Sequence, residues 1–313
     1  TWNVERGTWN VERGTWNVEV TIGFIGVGRA GGALAAAFHS AGYRVVALYS
    51  RSVETASGLA HQIGATIAET PVAVAHAADL VFLTVSDSAV TPVCRMIAAA
   101  GGWRAGQCVV HCSGAFGREA LVDAAASGAW IGGFHPLQTL TGAKTAPRLR
   151  GAYIAIDADP PLATTLHALA HAIGATPFDL DARHRALYHA AAVMVANYTV
   201  ALYACGTALL ERIGLPEEVR MRALLPLLRG AVESLEHAPP DVALTGPIAR
   251  GDDGTVARHI AALATHMPAL LPIYRELGRV ALSLVHDIPE PQAQALSRLL
   301  GGEDTALKVE SPS

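Results

Sequence analysis

Short apolar runs alternate with amphipathic stretches from residue 20 to about residue 181. This alternation predicts parallel β-strands, each followed by a helix that covers one face of the sheet. The predicted strands are Thr21–Ile25, Arg44–Tyr49, Leu80–Val85, Gln107–His111, Trp130–Gly133, Ala152–Ile156 and Thr176–Leu180. We therefore expect an α/β domain with a doubly wound, mostly parallel sheet over residues 20–181.

The pattern becomes helical after Asp181. One long helix is predicted over residues 182–213, and a second begins at Pro216, because proline is favoured in the first turn of a helix. Residues 238–254 are too rich in Pro and Gly to be helical, and later breaks are predicted at Pro268 and at Pro289–Pro291. The expected architecture is thus an α/β domain followed by an all-α domain over residues 182–300.

Both ends of the chain are left out of the predicted fold. T-W-N-V-E-R-G occurs at residues 1–7 and again at 8–14, and T-W-N-V-E returns at 15–19. The repeat has no apolar seam of the coiled-coil kind, so we interpret residues 1–19 as an artefact of expression or gene prediction, or as a disordered arm. Residues 301–313 are expected to be a disordered tail.

Composition narrows the class of protein. Hydrophobic residues make up 51% of the 313 residues and charged residues 16%, which favours two compact, well-buried domains. A net charge of −4 gives no reason to expect nucleic acid or an anionic membrane. Four scattered cysteines predict neither a disulfide framework nor a metal site, but free thiols in a reducing cytoplasm.

The segment Ala190–Leu210 is apolar and long enough to suggest a membrane span. It contains Asn197, Thr199, Gly206 and Thr207 and lies within an otherwise soluble pattern. We therefore predict a buried helix, not a span.

A glycine-rich turn follows the first predicted strand. Gly26, Gly28 and Gly31 have the spacing G-x-G-x-x-G, and the helix predicted over Arg29–Ala41 starts inside it. In a dinucleotide-binding Rossmann domain these glycines allow the tight turn, the approach of a pyrophosphate and close packing of helix on strand, while the helix N-terminus faces the anion. The predicted cofactor-binding residues of the turn are Gly26, Val27, Gly28, Arg29, Ala30 and Gly31.

The residues after the second strand predict which dinucleotide binds. An NAD-binding domain usually has Asp or Glu there, whereas this chain has Ser50, Arg51 and Ser52, with no acid before Glu54. Two hydroxyls and a guanidinium suit a 2′-phosphate. We expect NADP(H); the alternative is a solvated arginine in a loop.

Three later strands end in polar residues at the predicted carboxyl edge, where ligands bind in open α/β sheets. Val85, Ser86, Asp87 and His111 are predicted to contact the cofactor, and Ser113 the substrate. His135 is predicted to take part in catalysis. The alternative for each residue is a structural role in its own segment. Asp87 would cap the next helix, Ser113 would shape a turn, and His135 would shape a turn together with Pro136.

At this point the chain resembles known proteins. G-F-I-G-V-G-R-A-G-G-A-L and S-R-S, followed by a helical domain, resemble the 6-phosphogluconate dehydrogenase-like superfamily, which includes pyrroline-5-carboxylate reductase. More narrowly, H-C-S-G-A-F, F-H-P-L-Q-T-L, Y-H-A-A-A-V-M-V-A-N-Y and L-T-G-P-I-A-R-G-D resemble bacterial Rossmann proteins with a C-terminal domain of unknown function. Some members of that group resemble an alternative class of ketopantoate reductase.

The resemblance implies a lysine and an asparagine on the first long helix of the second domain. No lysine occurs in residues 182–213; His189 stands at a plausible position for it and Asn197 at one for the asparagine. Histidine suits proton transfer near neutrality, so we predict His189 and Asn197 as catalytic residues. Further along, Thr245, Arg250 and Asp252 are predicted to bind substrate, with a helix-connecting turn as the alternative.

These residues predict an NADPH-dependent reductase of a small 2-oxo acid, with ketopantoate as the most specific candidate. One alternative is a reductase of an imine, or one that uses a deazaflavin coenzyme. Another is a non-catalytic NADP(H)-binding sensor or partner-binding subunit. We also expect a homodimer, because the apolar surface of Ala190–Leu210 exceeds what a small helical domain covers.

Overall fold

The computed structural model describes residues 9–10, 15–16 and 20–301. The pairs Trp9–Asn10 and Thr15–Trp16 form a small antiparallel ladder of their own. The other residues of the predicted N-terminal arm, and the predicted tail beyond residue 301, lie outside the described residues.

An eight-stranded sheet forms the centre of the first part of the chain. Its strands are β1 (Thr21–Ile25), β2 (Arg44–Tyr49), β3 (Thr66–Ile67), β4 (Leu80–Leu83), β5 (Cys108–His111), β6 (Trp130–Leu137), β7 (Tyr153–Ala158) and β8 (Thr176–Asp179). Their spatial order is 8-7-6-5-4-1-2-3. The order reverses beside β1, between β1 and β4, so a switch point lies at their carboxyl ends.

The strand predictions are confirmed in position but differ at their ends. All sheet pairs are parallel except β6 with β7. Because β7 pairs antiparallel with β6 along its length, β6 continues to Leu137 and not only to the predicted Gly133. The two-residue strand β3 was not predicted, and β4 ends at Leu83, before the predicted Val85.

Helices cover both faces of this sheet. They are α1 (Arg29–Ser40), α2 (Val53–Ile63), α3 (Pro71–Ala77), α4 (Asp87–Ala99), α5 (Val122–Ala125) and α6 (Leu162–Ala172). On one face Phe24, Phe38, Phe82 and Phe134 pack together, with ring centroids 5.1 Å apart for Phe24–Phe82 and 5.6 Å for Phe82–Phe134. This aromatic cluster fixes α1, and with it the glycine-rich turn, against the centre of the sheet.

A long helical run follows the sheet, as predicted. It consists of a 3₁₀ turn (Ala182–His184), α7 (Arg185–Ala192), a π-helical turn (Val193–Asn197) and α8 (Tyr198–Arg212). The chain divides into two compact units within this run, after Ala196. Residues 182–196 are therefore helical in pattern but belong to the same unit as the sheet.

The second unit is all helical. Its further helices are α9 (Glu217–Ala223), α10 (Leu225–His237), α11 (Pro240–Ala243), α12 (Asp253–His266), α13 (Leu271–Ser283) and α14 (Glu290–Leu299). The single helix predicted from Pro216 to His237 is divided near Pro226, and the predicted non-helical segment contains the one-turn helix α11. Val256, Leu296 and Leu300 form its small buried cluster.

The prediction that Ala190–Leu210 is a buried helix is wrong for the single chain. Met194 is 64% exposed, Tyr198 55% and Val200 70%. By length and composition alone, the run Ala182–Arg212 is long and apolar enough to cross a membrane. Its most apolar stretch is not buried. An apolar face of this size needs a covering surface.

Candidate functional site

The glycine-rich turn has the geometry that the G-x-G-x-x-G spacing predicts. Gly26 adopts φ +100°, and its N–H donates to the Tyr49 carbonyl oxygen at 2.8 Å. A Cβ at Gly31 would overlap the Gly26 carbonyl oxygen and the Thr84 hydroxyl. A Cβ at Gly28 would meet no heavy atom within 4 Å. The first and third glycines are thus required by the fold itself, whereas the second borders open space.

The start of α1 fits an anionic ligand. Gly28 occupies the N-cap position without a side-chain cap, and no acidic residue lies in the first turn. The Arg29 side chain is exposed there, and its backbone carbonyl accepts a 3.1 Å hydrogen bond from the N–H of Gly142. A helix N-terminus with free N–H groups and an adjacent cation is a ready site for a pyrophosphate. Val27 is buried beneath the turn and Ala30 half-buried within it.

The turn after β2 leaves its arginine available. Ser52 caps α2, with its hydroxyl accepting from Thr55 N–H at 3.4 Å, and the Ser50 hydroxyl accepts from Ser52 N–H at 3.3 Å. Arg51 is exposed, and no ion pair found among the described residues involves it. Both serines shape the turn that presents the guanidinium.

The segment after β4 lies beside the glycine-rich turn. The N–H of Thr84 donates to the Ile25 carbonyl oxygen at 2.9 Å, and the Thr84 hydroxyl donates to the Gly26 carbonyl oxygen. Val85 and Ser86 follow, with Ser86 at the N-cap of α4 and Asp87 as the first residue of that helix. This segment therefore lies at the carboxyl edge, as predicted, and beside the switch point, where Asp87 adds a carboxylate.

One face of the sheet edge carries a polar group of residues. His111 on β5 pairs with Gly133 on β6, and Gly133 pairs with Asp157 on β7. Since residues that pair across strands share a face, and residues two apart on a strand do too, His111, Asp157 and His135 lie on one side of the sheet. His135 is the second residue beyond the end of the β5 ladder, so it projects at the carboxyl edge, as predicted.

His111 and Ser113 hold the loop after β5. Ser113 N–H donates to His111 Nδ1 at 3.1 Å, so Nε2 carries the proton and donates to the Gly117 carbonyl oxygen at 2.9 Å. The Ser113 hydroxyl oxygen accepts from the N–H groups of Ala115 and Phe116, both at 3.2 Å. Both side chains are buried and shape the loop. Their contact with a cofactor or a substrate stays a prediction.

Arg185 is a buried cation at the start of α7. Its side chain is 2% exposed, and its Nη2 donates to Asp157 Oδ2 at 3.2 Å while Nη1 donates to the Ser113 carbonyl oxygen at 3.0 Å. A Cβ at Gly133 would lie 2.6 Å from Nη2, so only glycine leaves room for the guanidinium. The ion pair anchors α7 to the sheet edge.

Two further residues of α7 reach the same edge. The hydroxyl of Tyr188 lies 2.6 Å from His135 Nδ1, and the two rings meet edge to face with centroids 5.5 Å apart. The ring of His189 lies 6.2 Å from that of His135. A Cβ at Gly114 would be 2.7 Å from His189 Cδ2 and 2.8 Å from His135 Nε2, so both rings pack on this glycine.

Burial decides the charge states at this edge. Burial, and then the neighbouring His189, Arg185 and His111, lower the pKa of His135 to about 4, while Asp87 opposes the shift. Burial raises the pKa of Tyr188 to about 12. At neutral pH the edge therefore presents a neutral imidazole against a protonated phenol.

The other predicted site residues belong to the second unit. Asn197 ends the π-helical turn, and Thr245 and Arg250 are exposed in the segment before α12. Asp252 caps α12: Oδ1 accepts from Thr255 N–H at 2.9 Å and Oδ2 from the Thr255 hydroxyl at 2.7 Å. These hydrogen bonds lower the pKa of Asp252 and favour its capping role. Their part in substrate binding stays a prediction.

Three residues of the edge were not found from the sequence. Arg185 and Tyr188 sit in an amphipathic helix, where an arginine and a tyrosine usually are surface and packing residues. Asp157 is the single acid of an otherwise apolar strand. A charged residue inside such a strand was the one available signal, because a buried carboxylate requires a buried partner.

The fold and the turn at its switch point define a Rossmann-like protein with a helical C-terminal domain. Residues 10–136 match the family model of a Rossmann-like domain, and residues 152–281 match that of a domain of unknown function, DUF2520. The chain therefore matches both domain models in succession, and the resemblance to Rossmann proteins with this C-terminal domain is confirmed. No curated protein matches the chain.

Solved structures share the fold over most of the chain. A "putative NADP oxidoreductase" from Bacteroides fragilis is 26% identical, with a TM-score of 0.67 over 85% of this chain and 98% of that chain. A pyrroline-5-carboxylate reductase from Coxiella burnetii is 15% identical (TM-score 0.56; 90% and 98% covered). A reductive aminase from Aspergillus terreus, in complex with NADPH and ethyl levulinate, is 20% identical (TM-score 0.58; 90% and 91% covered).

Proposed function

We propose that this protein is an NADPH-dependent reductase of a small 2-oxo acid, with ketopantoate as the most specific candidate. The observation that carries the proposal is the arrangement at the switch point. A glycine-rich turn with open space at Gly28 stands at the same carboxyl edge as the neutral pair His135–Tyr188. A site for a phosphate and a site for proton transfer are what such a reduction requires.

The turn and the residues after β2 would hold the cofactor. Its pyrophosphate would lie against Gly26–Gly31 and the start of α1, with Arg29 as a nearby cation. Its 2′-phosphate would be bound by Arg51, with the hydroxyls of Ser50 and Ser52 beside it. Val85, Ser86 and Asp87 would border its nicotinamide half. When bound, reduced nicotinamide supplies a hydride to the substrate.

The substrate would lie between that half of the cofactor and the polar edge of the sheet. His135, His189 and Asn197 are proposed to contact its reacting group. Arg250 is proposed to bind the carboxylate, because a guanidinium binds a carboxylate through two parallel hydrogen bonds. Thr245 and Asp252 stand in the same segment and are proposed to bind the substrate with it. The Bacteroides fragilis relative, named for NADP, supports the cofactor rather than the acid.

Two alternatives have their own support. The likeness to a reductive aminase favours a carbonyl or an imine as substrate, and a deazaflavin coenzyme is a variant of the same reduction. The lack of a lysine in residues 182–213 favours a sensor that binds NADP(H) without turnover. These alternatives differ in what they do to NADPH, so one assay separates them.

A second copy of this chain is the proposed cover for the exposed helix face. In the second unit, the fully buried hydrophobic residues are few, whereas Val200, Leu227 and Val232 are more than half exposed. The buried ion pair of Arg185 ties the start of the helical run to the sheet, which opposes its insertion in a lipid bilayer. We therefore propose a homodimer in the cytoplasm.

The test is calorimetry followed by NADPH oxidation with a panel of substrates. We expect NADPH to bind more tightly than NADH, and ketopantoate or another 2-oxo acid to accelerate its oxidation. Acceleration by a cyclic imine alone would favour the imine reductase. Tight NADPH binding without turnover of any substrate would support the sensor, and no binding of either nucleotide to folded protein would overturn the proposal.

A further inference from the structure

At the polar edge, the Tyr188 hydroxyl has a defined side-chain partner, His135, and a rigid support. It follows Arg185 by three residues on α7, so both side chains lie on the helix face that meets the sheet. Arg185 is fixed by Asp157, and His135 lies within the β6–β7 ladder. The 2.6 Å distance between Tyr188 Oη and His135 Nδ1 is therefore set by two anchored backbones.

The neutral imidazole allows one arrangement that leaves the phenol free to donate. When His135 Nδ1 carries the proton, it donates to the Tyr188 oxygen, and the phenolic O–H points away from the histidine. His135 Nε2 is then an acceptor on the opposite side of the ring, where Gly114 lies. A phenol supported in this way is already hydrogen-bonded in the state that forms after proton loss.

We propose that Tyr188, held by His135, donates the proton to the substrate oxygen; this inference rests on the proposed function. The carbonyl carbon gains the hydride, and the carbonyl oxygen gains the Tyr188 proton to become a hydroxyl. The phenolate that remains keeps its hydrogen bond from His135 Nδ1–H and takes a proton from solvent, which restores the starting phenol. Cofactor and solvent thus supply one hydride and one proton, and the charges balance.

His189 is the competing donor predicted from the sequence. The His189 ring packs on Gly114 and lies edge to face with the ring of His135, so His189 lies at the same part of the polar edge as Tyr188. Tyr188 differs from His189 because its hydroxyl oxygen lies at hydrogen-bond distance from the neutral imidazole of His135. The pH dependence separates the two donors. The pKa of Tyr188, raised to about 12, keeps it protonated over the whole neutral range.

The first experiment compares Tyr188→Phe with Tyr43→Phe, another partly buried tyrosine, which packs on Phe38. With the best substrate of the panel, Tyr188→Phe should lower kcat by about 10²-fold or more, the usual effect of losing a general acid. Tyr43→Phe should keep the wild-type kcat, and His189→Gln should lower kcat by less than Tyr188→Phe does, because His189 contacts the substrate without supplying the proton.

A second readout does not depend on turnover. By calorimetry, NADPH should bind Tyr188→Phe as tightly as wild type. The oxo acid with NADP⁺, a pair that cannot react, should bind it less tightly, by up to about tenfold, the effect of one lost hydrogen bond. Loss of NADPH binding in Tyr188→Phe, or no change in binding of the oxo acid, would contradict the contact with substrate.

The pH profile and His135 complete the test. The wild-type kcat should be level from about pH 6 to 9, because a phenol with its pKa raised to about 12 keeps its proton throughout this range; a kcat that falls with rising pH within it would contradict Tyr188 as the donor. His135→Ala should be slow and partly restored by added imidazole. An active wild type that Tyr188→Phe matches overturns this inference alone; a wild type that reduces nothing overturns the proposed function with it.

Discussion

Arg185 and Asp157 form an ion pair that is almost completely removed from solvent, with exposed fractions of 2% and 8%. The pair joins the first residue of α7 to the end of β7, and the same guanidinium donates to the Ser113 carbonyl oxygen. Breaking a buried pair leaves an uncompensated charge, so Asp157→Asn should cost about 3–5 kcal/mol in the free energy of unfolding.

Urea unfolding measures this cost. The matched control is Asp181→Asn, which breaks the exposed pair Arg183–Asp181 and should leave the unfolding midpoint unchanged. Equal midpoints for both variants would show that the buried pair does not anchor α7.

The second and third glycines of the turn should respond differently to alanine. Gly28 has a negative φ and open space around its Cα, so Gly28→Ala should keep the thermal midpoint but weaken NADPH by about tenfold or more, because the methyl group enters the ligand's space. Gly31→Ala overlaps Gly26 and Thr84, so it should lower both stability and binding. Calorimetry measures the binding and thermal unfolding measures the stability of each variant. Unchanged NADPH binding in Gly28→Ala would show that the nucleotide does not bind at this turn.

Arg51→Ala should discriminate between the two nucleotides. A charge-assisted hydrogen bond to the 2′-phosphate contributes about 1.5–3 kcal/mol, so NADPH should bind about 10- to 100-fold less tightly while NADH is unaffected. Arg44→Ala removes another exposed arginine, at the opposite end of β2, and should change the affinity for neither nucleotide. Titration of each variant with both nucleotides decides the matter. Equal losses for NADPH and NADH would mean that Arg51 does not bind the 2′-phosphate.

Acid should destabilise the fold through His111. Burial, and then the charge of Arg185, lower its pKa to about 4, whereas the unfolded chain protonates near its ordinary value of about 6.5. The unfolded state therefore binds more protons between these values. Stability is complete above about pH 6.5 and falls as pH decreases towards 4, by about 2 kcal/mol at about pH 5 for this residue.

The measurement is urea unfolding at neutral and mildly acidic pH. His111→Gln should show a smaller loss on acidification than wild type, whereas His61→Gln, at an exposed position of α2, should show the wild-type loss. An unchanged pH dependence in His111→Gln would assign the acid sensitivity to other groups.

The mass in solution tests the homodimer. Val200→Asp places a charge on the exposed apolar face of α8 and should dissociate the dimer, because a carboxylate cannot be buried there without a partner. Val53→Asp makes the same change at a valine that is 59% exposed on α2 and should leave the mass unchanged. Light scattering at micromolar concentration is sufficient; a monomeric wild type would refute the dimer.

Much of the first unit was predictable because its signals are local. The apolar runs predicted the positions of seven of the eight strands, and the spacing of Gly26, Gly28 and Gly31 predicted the glycine-rich turn. The extension of β6 to His135 and beyond was not predictable, because it depends on β7 pairing antiparallel with it. The two residues of β3 are too short to show any periodicity.

The polar edge was predicted only in part, for a similar reason. His135 and His189 were found because histidine carries chemistry by itself. Tyr188 and Arg185 acquire their significance from partners that are distant in sequence, His135 and Asp157. The exposed helix face shows the same limit, because hydrophobicity predicts a covering surface for residues 190–210 but does not identify it.

The reversed direction of β7 has a consequence for how this enzyme could change during evolution or engineering. Because it lengthens β6, the imidazole of His135 is carried by a hydrogen-bonded ladder and not by a surface loop. Insertions or exchanges in the loops around it should therefore alter which molecules are accepted while His135 keeps its position. A library diversified outside that ladder is the natural starting point for new specificities.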